Sequence, residues 1–426
     1  VADSDISDDI VADELPQHVK PVPPLRSDFR PWHRVRKQFI REKQWNHEIH
    51  FLAKQLRKDL QKDASEWGAA SASEAETSLA GPIPETLIIE RPLRCFVLPG
   101  DELLDIRCLW QKLENEGCFI RFLGFNSTLV TPEQHERMAL TEGAVTQLAK
   151  ISKDSHVTGD RFQDIARNNT QAYRLFRQYG PYDVINLDLC DSLVPRGRAG
   201  ETEANYTALH QLLIYQSQHQ RTPWLLFATT QVDRETADQA ELDKLGGPTR
   251  KNFDTHPEFA GVLRSRLPAS CFASQTHSVD ISEFTPSHLV EAFGVILGKW
   301  LVNILQSASP RCSVKLLSSY RYVIRADKSV EMLSLGFRVT PHFAPPTDQT
   351  GNSSLKPDTR IVPSEKEIAV DMATVASQIR DVDDILAADA PLRDSLVQAK
   401  AELLSAVGFD ADAYRKWVAD GEVEAC

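Results

Sequence analysis

No Cys-x-x-Cys pair occurs in this chain of 426 residues. Its seven cysteines, Cys95, Cys108, Cys118, Cys190, Cys271, Cys312 and Cys426, are scattered singly, which leaves no zinc ribbon or dithiol redox motif. The odd count, beside ample apolar residue for a large core, points to reduced thiols and a cytoplasmic protein. Also absent are a GxxxxGK[ST] phosphate loop, a GxSxG elbow and a GxGxxG turn. A P-loop nucleotidase, an ordinary α/β-hydrolase and a nicotinamide dehydrogenase are therefore disfavoured. The sequence has no internal repeat and no charged-then-apolar signal peptide. Val1 in place of Met leads us to expect a native start upstream. The most apolar long run, 288–305, carries Glu291 and Lys299 and reads as a buried helix rather than a membrane span, so no membrane partner is expected.

What is present is globular in character. Hydrophobic residues make up 42% and charged residues 25%, and the length suggests roughly two or three domains. A net charge of -12 argues against a general nucleic-acid coat. Residues 1–28 read as an acidic, Pro-rich tail and 29–62 as a basic amphipathic helix. Residues 63–85 read as a linker. From 86 to 342 short apolar strands (Cys95–Leu98, Phe119–Leu123, His156–Thr158, Tyr182–Leu187, Trp224–Ala228) alternate with helical stretches, which implies βαβ units and a parallel sheet. Residues 234–283 exceed that pattern and read as an insert. Val314–Ile324 and Glu331–Val339 follow without a helix between them and read as an antiparallel hairpin around 325–329. A second linker (343–364) and an acidic helical region (365–426) complete the chain.

The stretch Tyr182–Ser192 carries the clearest chemistry. Its strand ends in Asp188, with Asp191 three residues on, and ligands of open parallel sheets sit beyond the carboxyl ends of strands. Asp188 and Asp191 are the candidate catalytic residues. Two carboxylates suit a hard cation such as Mg²⁺, but no His pair completes a metal set, so no metal is assigned. Asp191 serves equally as a loop cap.

Five alternating strand units followed by an antiparallel pair resemble the class I S-adenosylmethionine-dependent methyltransferases over roughly residues 90–342. The resemblance implies an α/β, Rossmann-like methyltransferase fold with a mostly parallel sheet, joined here by the N-terminal basic helix and the acidic C-terminal helices. It further implies S-adenosylmethionine as cofactor. At Leu98-Pro99-Gly100-Asp101 the family's Gly-rich turn is reduced to Gly100, and Val97 stands where the family carries an acid. Pro99, Gly100 and Asp101 would border the cofactor's amino-acid part, Asn126 or Ser127 its ribose, and Phe125 would stack on adenine. Gly159-Asp160 match the family's Gly-Asp pair near the adenine amino group. Asp188 would orient the methyl acceptor.

The second clue is the basic stretch 29–62. Arg34, Arg36, Lys37, Arg41 and Lys43 interleave with Trp32, Phe39 and Trp45, a pattern that suits phosphates and exposed bases. The same 3–4 residue spacing suits a packing face. The expected function is thus a methyltransferase-like protein with nucleic acid as one candidate substrate. The alternative is a catalytically inactive scaffold of that fold, binding nucleic acid or a protein partner, with a homo-oligomer among the candidates.

Overall fold

The computed structural model describes residues 24–74, 91–189, 191–196, 205–272, 279–280, 282, 284–324, 331–343 and 363–422. The expected tail over 1–23, the linker beyond 74, the turn at 325–330 and the stretch 344–362 lie outside the described residues. An eight-stranded sheet forms the centre, in the order β3-β2-β1-β4-β5-β7-β6-β8. Its strands are β1 (Leu93–Val97), β2 (Ile120–Phe125), β3 (His156–Thr158), β4 (Val184–Asp188), β5 (Trp224–Gln231), β6 (Arg311–Val323), β7 (Glu331–His342) and the short β8 (Arg380–Asp381). β1 to β5 are parallel. The expected antiparallel pair lies at one edge, with β7 antiparallel to both β5 and β6 and only the two-residue β8 beyond β6. Close approach there needs a glycine, since a Cβ on Gly336 would lie 2.9 Å from Ser318 Oγ, beside a register shift in β6.

Period-two alternation assigns the strand residues to two buried faces. Phe96, Leu123, Phe125, Ile185, Leu187 and Leu226 face one core cluster. That face is covered by α5 (Gln171–Tyr179), α6 (Asn205–His219), α9 (Pro286–Ser307) and α10 (Glu365–Ala376). The α9 helix is long and apolar enough to cross a membrane, and 83% of its most apolar window is buried inside this fold. The 234–283 stretch supplies α7 (Gln239–Thr255) and α8 (Pro257–Arg264), whose Leu242, Leu245, Phe259 and Leu263 join the same cluster.

Cys95, Val97, Phe122, Val184, Leu225 and Phe227 face the other way. Here the cover comes partly from α3 (Leu104–Leu113) and partly from both ends of the chain. The basic stretch forms α1 (Val35–Phe39), a π-helical turn (Ile40–Trp45) and α2 (Asn46–Glu74). Its stripe Phe39, Trp45, Ile49, Leu52 and Leu56 is buried against the sheet. Residues 63–74, expected as linker, continue α2; the run holds Ala, Ser and Glu without Pro, and the chain-breaking Gly81-Pro82 comes later. After β8 come α11 (Val382–Ala388), which packs on α1, α12 (Ala390–Ser405), which packs on α1 and α3, and α13 (Ala411–Ala419), which packs on α12.

The two chain ends also meet directly. Arg26 N donates to Gly408 O at 2.9 Å, and Asp410 N donates to Arg26 O at 2.9 Å. Phe29 stacks on Phe409 at 5.8 Å and meets Trp417 at 5.3 Å. Residues 24–28, expected within the tail, are therefore part of the fold. Deleting residues 24–62 strips the apolar cover from one sheet face, and the truncated chain should lose its cooperative urea transition. A truncated protein with the full-length midpoint would show instead that this stretch is an independent arm.

Candidate functional site

The strand order reverses between β1 and β4, because β1 pairs with β2 on one side and with β4 on the other. In open α/β sheets such a switch point opens a crevice at the carboxyl ends. The loop after β1 and the tip of β4 line it. The loop Gly100–Leu103 is a tight turn in which Leu103 N donates to Gly100 O at 3.1 Å. Leu103 is held in the left-handed region (φ 51°) although fully buried, a conformation that costs roughly 1–2 kcal/mol for a non-glycine residue. Pro99 is buried, and a Cβ placed on the exposed Gly100 would meet nothing within 4 Å.

Polar side chains continue along the ends of β2 and β3. Asn126 donates to Asp101 Oδ1 at 3.1 Å, and Thr128 Oγ1 donates to Asn126 Oδ1 at 2.6 Å. Asp160 accepts from Thr158 Oγ1 at 2.6 Å and stays half-buried, as does Gly159. Phe125 departs from its expected role. It lies inside β2, 2% exposed, edge-on to Phe96 at 5.1 Å, so its ring is a core group and unavailable for stacking on a base. The strand runs one turn of the pleat further than its sequence pattern suggested.

The tip of β4 is differently built. Lys37 reaches in from α1 and pairs with Asp188. Its Nζ also lies 3.4 Å from Tyr322 Oη and 4.6 Å from the centre of the Trp45 ring. One turn on, Arg41 Nε donates to Asp105 Oδ1 at 2.6 Å, and Arg41 Nη1 donates to Trp32 O at 3.2 Å. Burial pushes the Asp188 carboxyl above its ordinary range and Asp105's charge adds to the rise, while Lys37 opposes it. Burial is the largest influence and works against Lys37's charge, but Asp188, Tyr322 and Asp105 together outweigh it and raise the ammonium above its ordinary value. Asp105 is held below its ordinary value because Arg41 and Lys37 overcome its burial. Burial also pushes Tyr322 up to about 12.

Lys400, from α12, completes the group. It is fully buried, its Nζ lacks a hydrogen-bond partner, and burial together with Arg41 drives its pKa well down. Two cations already balance two carboxylates here, and a further buried charge is avoided by losing the proton.

Arg34 and Arg36 are likewise engaged within the chain. Arg34 donates to Glu422 O at 3.2 Å, and Glu422 Oε1 accepts from Val35 N at 3.1 Å, capping α1. Arg36 pairs with Asp383 and Glu422. Of the five basic residues named for nucleic-acid contact, Arg34, Lys37 and Arg41 are buried, Arg36 is half-buried and Lys43 is exposed. The partner of this basic stretch in the structure is the chain's own set of carboxylates. Asp191 stands apart from Asp188's pair: it is exposed in the following loop, where its carbonyl accepts from Thr230 Oγ1 at 3.3 Å. Among the described residues, no three His, Cys, Asp or Glu side chains gather into a metal-holding group.

Sequence reasoning missed Asp105, Tyr322, Lys400, Glu102 and His33. Asp105 was visible in Asp101-Glu102-Leu103-Leu104-Asp105 as one more acid of the turn after β1, but its cation lies 64 positions away. A cavity of about 760 Å³ opens at the opposite, amino edge of the sheet, between Leu56, Arg57, Arg91, Phe119 and Asp183. Asp183 is spent there on structure: it accepts from Arg94 N and Gln220 Nε2, each at 2.9 Å.

The chain belongs to the PP_RS20740-like family, whose model matches residues 26–419. That span runs from the first bridge between the chain ends to the last residue of α13, so the family unit includes both end segments. No curated protein matches the chain.

His33 links this interface to pH. Burial lowers its pKa from 6.5 to about 4, against the opposing pull of Glu102 4.0 Å away. Between those values the folded chain binds fewer protons at His33 than the unfolded chain. The resulting stability is complete above about pH 6.5 and is lost as pH falls towards 4, up to about 3 kcal/mol. Urea unfolding of wild type and His33→Asn at pH 7 and 4.5 reads this share together with that of Glu102, the carboxyl that His33 helps hold down at about 2. The gap between the two proteins should change by most of that amount; a constant gap would remove His33 from the pH response.

Proposed function

We propose that this chain is a methyltransferase-fold protein that binds S-adenosylmethionine, or the corresponding homocysteine compound, across the carboxyl ends of β1, β2 and β3. The observation that carries the reading is the switch point between β1 and β4, faced by an open glycine turn and a row of polar side chains on successive strand ends. The residues fit such a ligand in part. Gly100 leaves room for close backbone approach, Asp101 and Asn126 are preset by their mutual hydrogen bond to receive hydroxyls, and Asp160 is oriented by Thr158. Phe125 does not contribute. The bound group would supply an activated methyl; the chain's own part is to fix its orientation and exclude water, because positioning dominates in-line transfer.

A second reading, the non-catalytic scaffold, is favoured by one specific observation. The strand-tip acid meant to face an acceptor is covered by Lys37, and its neighbour Asp105 by Arg41. Under this reading nucleic acid would engage the outer sides of Arg36 and Lys43, or a protein partner would bind the assembled chain ends.

Calorimetric titration with S-adenosylmethionine and S-adenosylhomocysteine separates the two. Binding is expected, and Asp160→Ala should weaken it about tenfold by removing one charge-assisted hydrogen bond. Absence of heat at millimolar ligand would sink the cofactor reading and leave the scaffold.

A further inference from the structure

We propose that the tip of β4 is a binding site for an unbranched primary alkylammonium group, and that Lys37 fills it as an internal ligand. Asp188 supplies the anion, Tyr322 a hydroxyl at 3.4 Å, and the Trp45 ring a π face at 4.6 Å, with the Tyr322 ring further off at 5.9 Å. A carboxylate combined with aromatic faces is the chemistry that recognises an ammonium. The two cations of the group meet different acids. The planar guanidinium of Arg41 goes to Asp105 and a backbone carbonyl, while the compact ammonium goes to Asp188.

Two features argue that the pair is more than a structural staple. A buried ion pair is a poor source of stability, and apolar side chains of equal volume hold a core as well. The Asp188 side chain also keeps 19% of its surface exposed, against 7% for Lys37, so the acid can be reached from solvent. An arriving ammonium would take Lys37's place on Asp188 with no covalent change, and Lys37's own ammonium would swing out to water, so that the group keeps two cations against two carboxylates. The inference names a ligand class for the β4 tip and does not depend on the cofactor reading.

The test uses the full chain without any S-adenosyl compound. Lys37→Ala removes the internal ligand from Cγ to Nζ, a volume matched by n-propylammonium. Thermal unfolding of Lys37→Ala should show a saturable rise of about 2 °C or more with n-propylammonium. It should show none with 1-propanol, and the rise should disappear in Lys37→Ala/Asp188→Asn. No rise, or a rise that survives loss of Asp188, overturns the proposal. Nα-acetyl-lysine amide serves as a second probe: a rise with it as well assigns the site to a lysine side chain carried on a chain, and a rise with n-propylammonium alone assigns it to small free amines. If Lys37→Ala does not fold, Lys37→Met keeps the alkyl stem without the charge. Adding Asp188→Asn should then raise its melting temperature, because a buried acid deprived of its cation is relieved by losing its own charge. A double variant no more stable than Lys37→Met overturns the site.

Discussion

A carboxylate at the end of a buried strand has to be compensated, and that requirement organises much of this molecule. Asp188 sits at the tip of β4 with most of its surface removed from water. Its compensating charge comes from Lys37, 151 residues earlier. Arg41 brings a second cation to Asp105, and Glu422 takes Arg36 across 386 residues. Each pairing joins segments that are remote in sequence, so the ends of the chain are fixed on the sheet by charge as well as by the apolar stripe beneath. The apolar contacts supply the stability; the ion pairs supply register, because an uncompensated buried charge makes any slipped arrangement costly.

This explains what could be read in advance and what could not. The parallel sheet was legible because alternating apolar runs and helical stretches are local patterns, and β3 was placed to the residue at His156–Thr158. The stripe Phe39, Trp45, Ile49 and Leu52 was legible as a helical face for the same reason. Whether the basic residues between them face phosphate or carboxylate was not legible. Arg34, Lys37 and Arg41 look alike in sequence whether exposed or buried, and their partners lie tens to hundreds of positions away. Phe125 was misplaced by a smaller effect. β2 extends through Phe125, and period-two alternation then turns its ring into the core beside Phe96. Asp101, Asn126 and Asp160 did fall on neighbouring strand ends, because strand-to-helix junctions are marked by polar and glycine residues.

The carboxyl edge of the sheet is consequently divided into two halves of unlike chemistry. Over β1, β2 and β3 the polar groups are uncharged or singly acidic, linked by short local hydrogen bonds and partly open to solvent. Over β4 and β6 the groups are acid–base pairs under the covering helices. A neutral or zwitterionic ligand can enter the first half by replacing water. Nothing can enter the second half without exchanging partners with a buried charge.

That difference sets which ligands the β4 tip can accept. The group of Lys37, Arg41, Asp105 and Asp188 is balanced, and Lys400 stays unprotonated beside it because a third cation would unbalance it. Replacing Lys37's ammonium by another ammonium preserves the balance when Lys37's own ammonium is carried out to water; left inside without its acid, it would be a buried unpaired charge. A phosphate brought to the same place would add negative charge next to two carboxylates and would have to recruit Lys37 or Arg41 away from them, leaving an acid unpaired in a low-dielectric setting. The basic stretch therefore does not make this edge a phosphate site. Its cations Lys37 and Arg41 are instead consumed by the chain's own acids.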